Sequence, residues 1–179
     1  MTRQTARSAA EVRFGDVFGH LGSITAYARR RGSHDAEGIA AETMTIAWRR
    51  LADVPTDDPR PWLFATARNL LHEERRRRGH LATLDESHDR AGPEPWQPAT
   101  PDPQVAAALA ALSLEDQEAL LLVAWEDLSP SLAARALGIR EPTFRVRLHR
   151  ARRRFREALL RATALDAHAL THQMKLEEQ

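Results

Sequence analysis

The chain is expected to be all-α: two small helical domains joined by a flexible, acidic, Pro-rich linker, the C-terminal one a helix-turn-helix. Three features predict this. Apolar residues recur at helical spacing on both sides of residues 79–103. That stretch holds Gly92, Pro93, Pro95, Pro98, Pro101 and Pro103 with few aliphatics, the composition of a linker. Residues 141–161 carry an apolar seam with arginine almost everywhere else.

The first helix is expected over 12–31, with Val12, Phe14, Val17, Phe18, Leu21, Ile24, Tyr27 and Ala28 spaced for burial and Arg29-Arg30-Arg31-Gly32 ending it. A second, from about Asp35 to Leu51, buries Ala36, Ile39, Ala40, Thr43, Ala47 and Leu51 and leaves Ala41, Glu42, Thr45 and Arg49 outside. Three prolines and two aspartates make 54–61 a loop. The third helix, about 61–78, buries Leu63, Ala67, Leu70 and Leu71 and turns Trp62, Thr66, Asn69 and Arg76 to the other side. An aromatic plane stacks on any base and an amide reads a base edge, so that face suits unstacked bases. It equally suits a Trp62 packed under the preceding loop beside an ordinary surface Asn69.

In the C-terminal unit, Ser113-Leu114-Glu115-Asp116 matches a capping-box-like start to a segment whose Leu120, Leu121, Leu122, Val123 and Trp125 supply a packing platform. Ser129-Pro130 caps a short helix with the stripe Leu132, Ala133, Ala136 and Leu137, and Gly138-Ile139 breaks it. The next helix buries Phe144, Leu148, Ala151, Phe155 and Leu159. Arg145, His149, Arg150, Arg153 and Arg156 face outward, with Arg147, Arg152 and Arg154 on the flanks. A short helix, a Gly turn and a basic second helix form a helix-turn-helix, whose second helix enters the major groove of DNA.

Net charge is only +1, but it is segregated: 140–161 has nine arginines against Glu141 and Glu157, whereas 81–104 has Asp85, Glu86, Asp89, Glu94 and Asp102 against Arg90. With no cysteine, disulfides, thiolate metal sites and cysteine nucleophiles are excluded. His168 and His172 stand four apart without a third ligand, so no metal site is expected. No cofactor loop, zinc-protease helix or nucleophile elbow is present, and the chain is expected to be no enzyme. Without a signal peptide or a membrane-length apolar run, a cytoplasmic location is expected.

Taken together, Asp35 to Thr43 with Ala47-Trp48-Arg49-Arg50, Arg60 to Phe64 with Ala67-Arg68-Asn69, and Leu128-Ser129, Ala136 to Ile139 and Thr143 to Arg152 resemble the extracytoplasmic-function group of sigma-70 family sigma factors, from about 12 to 161. The resemblance implies that 12–80 is region two, which docks on the beta-prime clamp helices of core RNA polymerase and opens the minus-ten promoter element. Asp35, Ala41, Glu42, Thr45 and Arg49 would then face polymerase. The 53–61 loop and Asn69, with Trp62 and Arg76, would meet DNA around a flipped base, which breaks the tie over Asn69. It implies that 81–104 is a linker threading a basic polymerase channel and that 105–161 is region four, which touches the polymerase flap. There Arg145, Val146, Arg147, His149, Arg150, Arg153 and Arg156 would read or contact the minus-thirty-five element. Residues 162–179 remain as a tail, and an anti-sigma factor is a further partner that the family implies. Gly38 stands where the family usually has an acid, Ala41 for Gln, Met44 for Phe and Val146 for Ser. A stand-alone helix-turn-helix regulator is the alternative. An interaction-only protein that sequesters another regulator fits the basic helix less well.

Overall fold

The computed structural model describes residues 2–84 and 102–177, with side chains over 8–78 and 102–164; all regular structure there is helical. The helices are α1 (Thr2–Phe18), α2 (Leu21–Arg30), α3 (Ala36–Arg49), α4 (Arg60–Leu84), α5 (Pro103–Ala110), α6 (Leu114–Ala124), α7 (Pro130–Leu137) and α8 (Glu141–Glu177). The expectation of two helical units is met.

The single helix expected over 12–31 is two. Gly19 and His20 form a turn, with the His20 N–H on the Val17 carbonyl at 3.1 Å, and glycine's backbone freedom makes this the place where the helix yields. The turn redirects α1, so Val12 (68%) and Phe18 (48%) are exposed instead of buried. The end of α2 is as expected: Gly32 is left-handed (φ 69°), and the N–H groups of Gly32 and Ser33 close on the carbonyls of Arg29 and Ala28. Asp35 caps α3, its carboxylate accepting from the Gly38 N–H at 2.8 Å. Met44 joins the expected residues Ala36, Ala40, Thr43 and Ala47 inside, while Ile39 and Leu51 are only half-buried.

α4 buries Leu63, Phe64, Ala67 and Leu71, and it packs against α2 and α3 on one side and α7 on the other. It runs past the expected end at 78, through Gly79 to Leu84. The Glu73–Arg77 and Glu74–Arg78 pairs, each four residues apart, support its basic segment, and one glycine costs a helix only about 1 kcal/mol. Asp102 caps α5 ahead of Pro103, so that helix starts within the stretch read as linker; 85–101 lie outside the described residues.

Gln117 is buried and closes the α5–α6 corner: its amide donates to the carbonyls of Leu109 and Leu112, each at 2.9 Å. The Leu109 carbonyl already accepts from the Leu112 N–H at 3.0 Å, so Gln117 adds a second bond there and supplies a partner to the Leu112 carbonyl just past α5. Ser113 caps α6 by accepting from the Asp116 N–H, as the capping pattern implies. Trp125 is not part of the platform. It caps the C-terminus of α6 and stays exposed, because the chain turns at Asp127, whose backbone is left-handed (φ 49°). That turn directs Glu126 and Leu128 inward. Ser129 caps α7, and Gly138 (φ 65°) ends it. α8 then runs unbroken to Glu177, so the tail continues the last helix.

Tyr27 is fully buried in the core. Its hydroxyl has no hydrogen-bond partner among the described residues, and the Arg31 guanidinium lies 3.4 Å over its ring. Burial pushes its phenol up to about 12, with Arg31 opposing. The phenol stays neutral in the folded chain while the unfolded chain ionises near pH 10, so the stability it contributes is complete below about pH 10 and lost between about 10 and 12. Tyr27 is the only tyrosine. Phenolate absorbance should therefore rise only near pH 12 in the folded chain, and Tyr27→Phe should flatten the loss of stability above pH 10; an ordinary midpoint near 10 would contradict this packing.

Candidate functional site

Seen down α8, each residue turns about 100°. Phe144, Leu148, Ala151 and Ala158 are buried, with Phe155 and Leu159 half-buried beside them. Directly opposite lie Val146, 52% exposed, and Arg153, flanked by His149 and Arg150; Arg145 and Arg156 stand on one shoulder. The exposed basic face is therefore present, but its arginines are not equivalent. Arg145 is held by Glu141 one turn back, with Nη2 to Oε1 at 2.6 Å. Arg147 is half-buried and 4.0 Å from Glu115, and Arg154 is bound to the buried Asp116 of α6. Glu115 and Asp116 of α6 thus add counter-charges to the Glu141 and Glu157 visible in the local sequence. Among the described residues, Arg150, Arg152 and Arg156 have no carboxylate partner, and Arg153 has a loose one, Glu157 at 3.6 Å.

The second cluster lies on α3 and α4. Ala41, Glu42 and Arg49 are exposed, and Glu42 and Arg49 share a face, being two turns apart. Thr45 is half-buried and turns its hydroxyl onto the Ala41 carbonyl at 3.0 Å. The Asp35 carboxylate is engaged in the α3 cap. Trp48 is 47% exposed, in edge contact with Phe14 at 5.0 Å between ring centroids, so an aromatic patch from α1 and α3 adjoins this face. On α4 the expected Trp62–Thr66–Asn69–Arg76 face is only partly open. Trp62 is half-buried against the core with the Arg50 guanidinium 5.8 Å from its ring, and the Thr66 hydroxyl donates to the Trp62 carbonyl. Asn69 and Arg76 are exposed, and the Asn69 amide makes no hydrogen bond among the described residues. In the preceding loop Arg60 forks onto Asp58, and that hydrogen bond holds the Asp58 carboxyl below the usual range.

Two segments match family descriptions: 19–80 matches sigma-70 region 2, and 103–155 matches sigma-70 region 4. The extracytoplasmic-function (ECF) RNA polymerase sigma factor SigL of Mycobacterium tuberculosis is 34% identical over 132 residues, covering 69% of this chain and 74% of SigL. The chain belongs to the ECF sigma factors. SigE of Mycolicibacterium smegmatis, named as another, is 29% identical over 155 residues, or 79% of this chain and 58% of that protein. Among solved structures, the sigma factor RpoE of Bartonella quintana, crystallised with the anti-sigma factor NepR, superposes with a TM-score of 0.64. It is 26% identical, over 81% of this chain and 94% of RpoE. CnrH, solved with the cytosolic domain of CnrY, gives 0.57 at 27% identity, over 83% of this chain and 88% of CnrH. A stand-alone regulator is not favoured.

The geometry gives the Gly38 departure in this sigma factor a local reason. A Cβ at Gly38 would stand 2.0 Å from Asp35 Oδ2, so the glycine makes room for the Asp35 cap. Trp48, Arg68, Glu118 and Glu126 are the residues that sequence reasoning missed as candidates. Only Trp48 left a signal, as an aromatic two turns from Ala41 on the outward side of α3. Among the described residues no group of histidines and carboxylates is placed to hold a metal, and no helix is long and apolar enough to cross a membrane.

The split among the α8 arginines is testable by stability alone. Arg154→Ala leaves the buried Asp116 carboxylate unpaired and should cost roughly 1–3 kcal/mol, whereas Arg152→Ala should change stability by less than about 0.5 kcal/mol. Equal melting temperatures for the two variants would show that the Asp116 pair does not hold α6 to α8.

Proposed function

We propose that this sigma factor works in the cytoplasm as a dissociable initiation subunit: it binds core RNA polymerase through α3, holds the melted minus-ten element at α4 and reads the minus-thirty-five element with α8. What supports this most directly is that one chain carries both family matches and also leaves Asn69 and, on the outer face of α8, Val146, His149 and Arg150 without a side-chain hydrogen bond or ion pair among the described residues. No bond is made or broken by the chain. Core polymerase does the chemistry, and the sigma factor supplies placement.

On the polymerase side, Glu42 and Arg49 offer opposite charges two turns apart on the face beside Ala41, and Thr45 and Asp35 act chiefly on their own helix. The Trp48–Phe14 patch adds apolar area to the same dock. On the DNA side, the Asn69 amide meets the Watson–Crick edge of an extruded base, Trp62 presents only part of its ring, and Arg76 meets phosphate. At α8, Val146, His149 and Arg150 lie deepest in the major groove. The Val146 methyls meet a thymine methyl, where a serine would donate a hydrogen bond. Arg145 and Arg147 play smaller direct parts because Glu141 and Glu115 hold them, and Arg153 and Arg156 meet the backbone.

The direct test is co-elution with core polymerase followed by run-off transcription from a selected promoter; no promoter-specific transcript would end the reading. Within it, Asn69→Ala should preserve recruitment and reduce open complex, scored as permanganate-reactive thymines. Wild-type footprints would remove Asn69 from the site.

Arg150→Ala should cost about 1–3 kcal/mol on the preferred site and relax discrimination at one base pair. Arg156→Ala should weaken all sequences alike and lower the logarithmic salt slope by about one. Binding of the full chain to single-base variants across salt concentrations separates the two, and identical profiles would mean the reading face is misplaced.

A further inference from the structure

A cavity of about 30 Å³ lies between α2, α4 and α6, with Arg31, Arg75 and Glu118 in its wall. His72 and Leu114 also line it and are exposed, so it opens to solvent at their side. It belongs neither to the polymerase surface on α3 nor to the DNA surfaces on α4 and α8.

The wall is out of charge balance. Arg30 takes both oxygens of Glu126 through Nη2, each at 2.8 Å, which leaves Arg31 a looser hold on that carboxylate at 3.6 Å. Arg68 donates from Nε to Glu118 at 2.8 Å, so the carboxylate in the wall is already matched. Arg75 is half-buried and makes neither a hydrogen bond nor an ion pair among the described residues. The guanidiniums of Arg30, Arg31, Arg68 and Arg75 thus stand against the carboxylates of Glu118 and Glu126 alone, since Arg78 nearby has its own partner in Glu74.

Arg31 supplies the second observation. Its side chain is only 4% exposed, and its Nη1 faces the Tyr27 carbonyl and Glu126, but its Nη2 has no hydrogen-bond partner among the described residues. Stacking on the Tyr27 ring covers the face of the guanidinium and not that edge. Burial holds the Arg75 guanidinium below its ordinary range, with Glu118 opposing and Arg31 adding to it. His72 is also held low, by partial burial and by Arg68 and Arg75, against Glu118. Surroundings that disfavour further positive charge favour a negative one.

A buried guanidinium short of acceptors is costly, and the cavity is larger than one water needs. Donors approach it from α2 on one side and α4 on the other. A planar carboxylate suits one such fork, whereas a tetrahedral oxyanion presents oxygens to both, and a doubly charged one matches the excess of arginine. We propose that this cavity binds a phosphate dianion, held by Arg31 Nη2 and the Arg75 guanidinium. With walls from α2, α4 and α6, the bound anion bridges the two sigma regions. The site does not depend on the promoter reading proposed above.

The test is calorimetric titration and thermal melting of the full chain in inorganic phosphate, with chloride keeping the ionic strength constant. Wild type should bind one phosphate with half-saturation on the order of 1 mM, a strength that two charge-assisted hydrogen bonds reach, and its melting temperature should climb with saturation. Arg75→Gln should weaken that binding by about tenfold or more. Because it removes an unpaired guanidinium, the same variant should melt no lower than wild type in chloride and below it in saturating phosphate. A merely structural Arg75 would melt lower in both. Arg31→Lys keeps the charge, loses the Nη2 edge and should also bind about tenfold more weakly. Adenosine diphosphate separates two sources of the same chemistry: no gain over inorganic phosphate assigns the free ion, and tighter binding that Leu114→Ser reduces assigns the phosphate of a nucleotide. Loss of binding in Arg150→Gln instead would put the anion on the outer face of α8 and overturn the site. So would the absence of saturable binding at about a hundredfold excess over that half-saturation, or equal melting shifts in wild type and Arg75→Gln.

Discussion

α4 buries one apolar arc of about 100°, and three other helices share it, a constraint that organises the rest of the chain. Leu63, Phe64, Ala67 and Leu71 need α2 and α3 on one side and α7 on the other. A surface helix of a small domain ordinarily buries one stripe and solvates the remainder. Here the remainder is divided again, between a strip that takes up region four and a strip, marked by Asn69 and Arg76, left to water. The helix expected to hold DNA is thus also the helix that joins the halves.

Charge follows the same division. Arginines on the outer face of α8 stand in solvent, where ion pairs contribute little and phosphate competes easily for them. Arg30 and Arg68, by contrast, are half-buried and matched to the carboxylates of Glu126 and Glu118. Both sets look alike in a sequence with a single lysine, because composition does not distinguish an arginine that awaits a ligand from one that already has a partner. Tertiary placement does.

What was legible in the sequence follows from how local each signal is. Caps and turns depend on residues within three or four positions, so Ser113, Ser129, Gly32 and Gly138 all act where their spacing implied, and Asp35, expected only to begin its helix, caps it. The buried stripe of α8 was legible because long helical periodicity is hard to mimic. The break at Gly19 was hidden by an apolar pattern that continues across it, and Trp125 was misplaced because a left-handed corner two residues later turns it outward. In the candidate site the basic face could be read. The engagement of Arg145, Arg147 and Arg154 could not, since for two of them the partner is on α6, more than thirty residues away. Glu118 and Glu126 were invisible for the same reason.

The corner at Asp127 carries one more implication, for how this protein can vary. Its left-handed backbone suits glycine, asparagine or aspartate and is strained for a β-branched side chain. Because that one corner both feeds Leu128 into the helix-turn-helix core and aims Glu126 at Arg30, drift at this exposed position is not neutral. A valine there would loosen a domain and a domain junction in the same step, so natural variation at 127 should be confined to a three-letter alphabet even though the side chain itself touches neither.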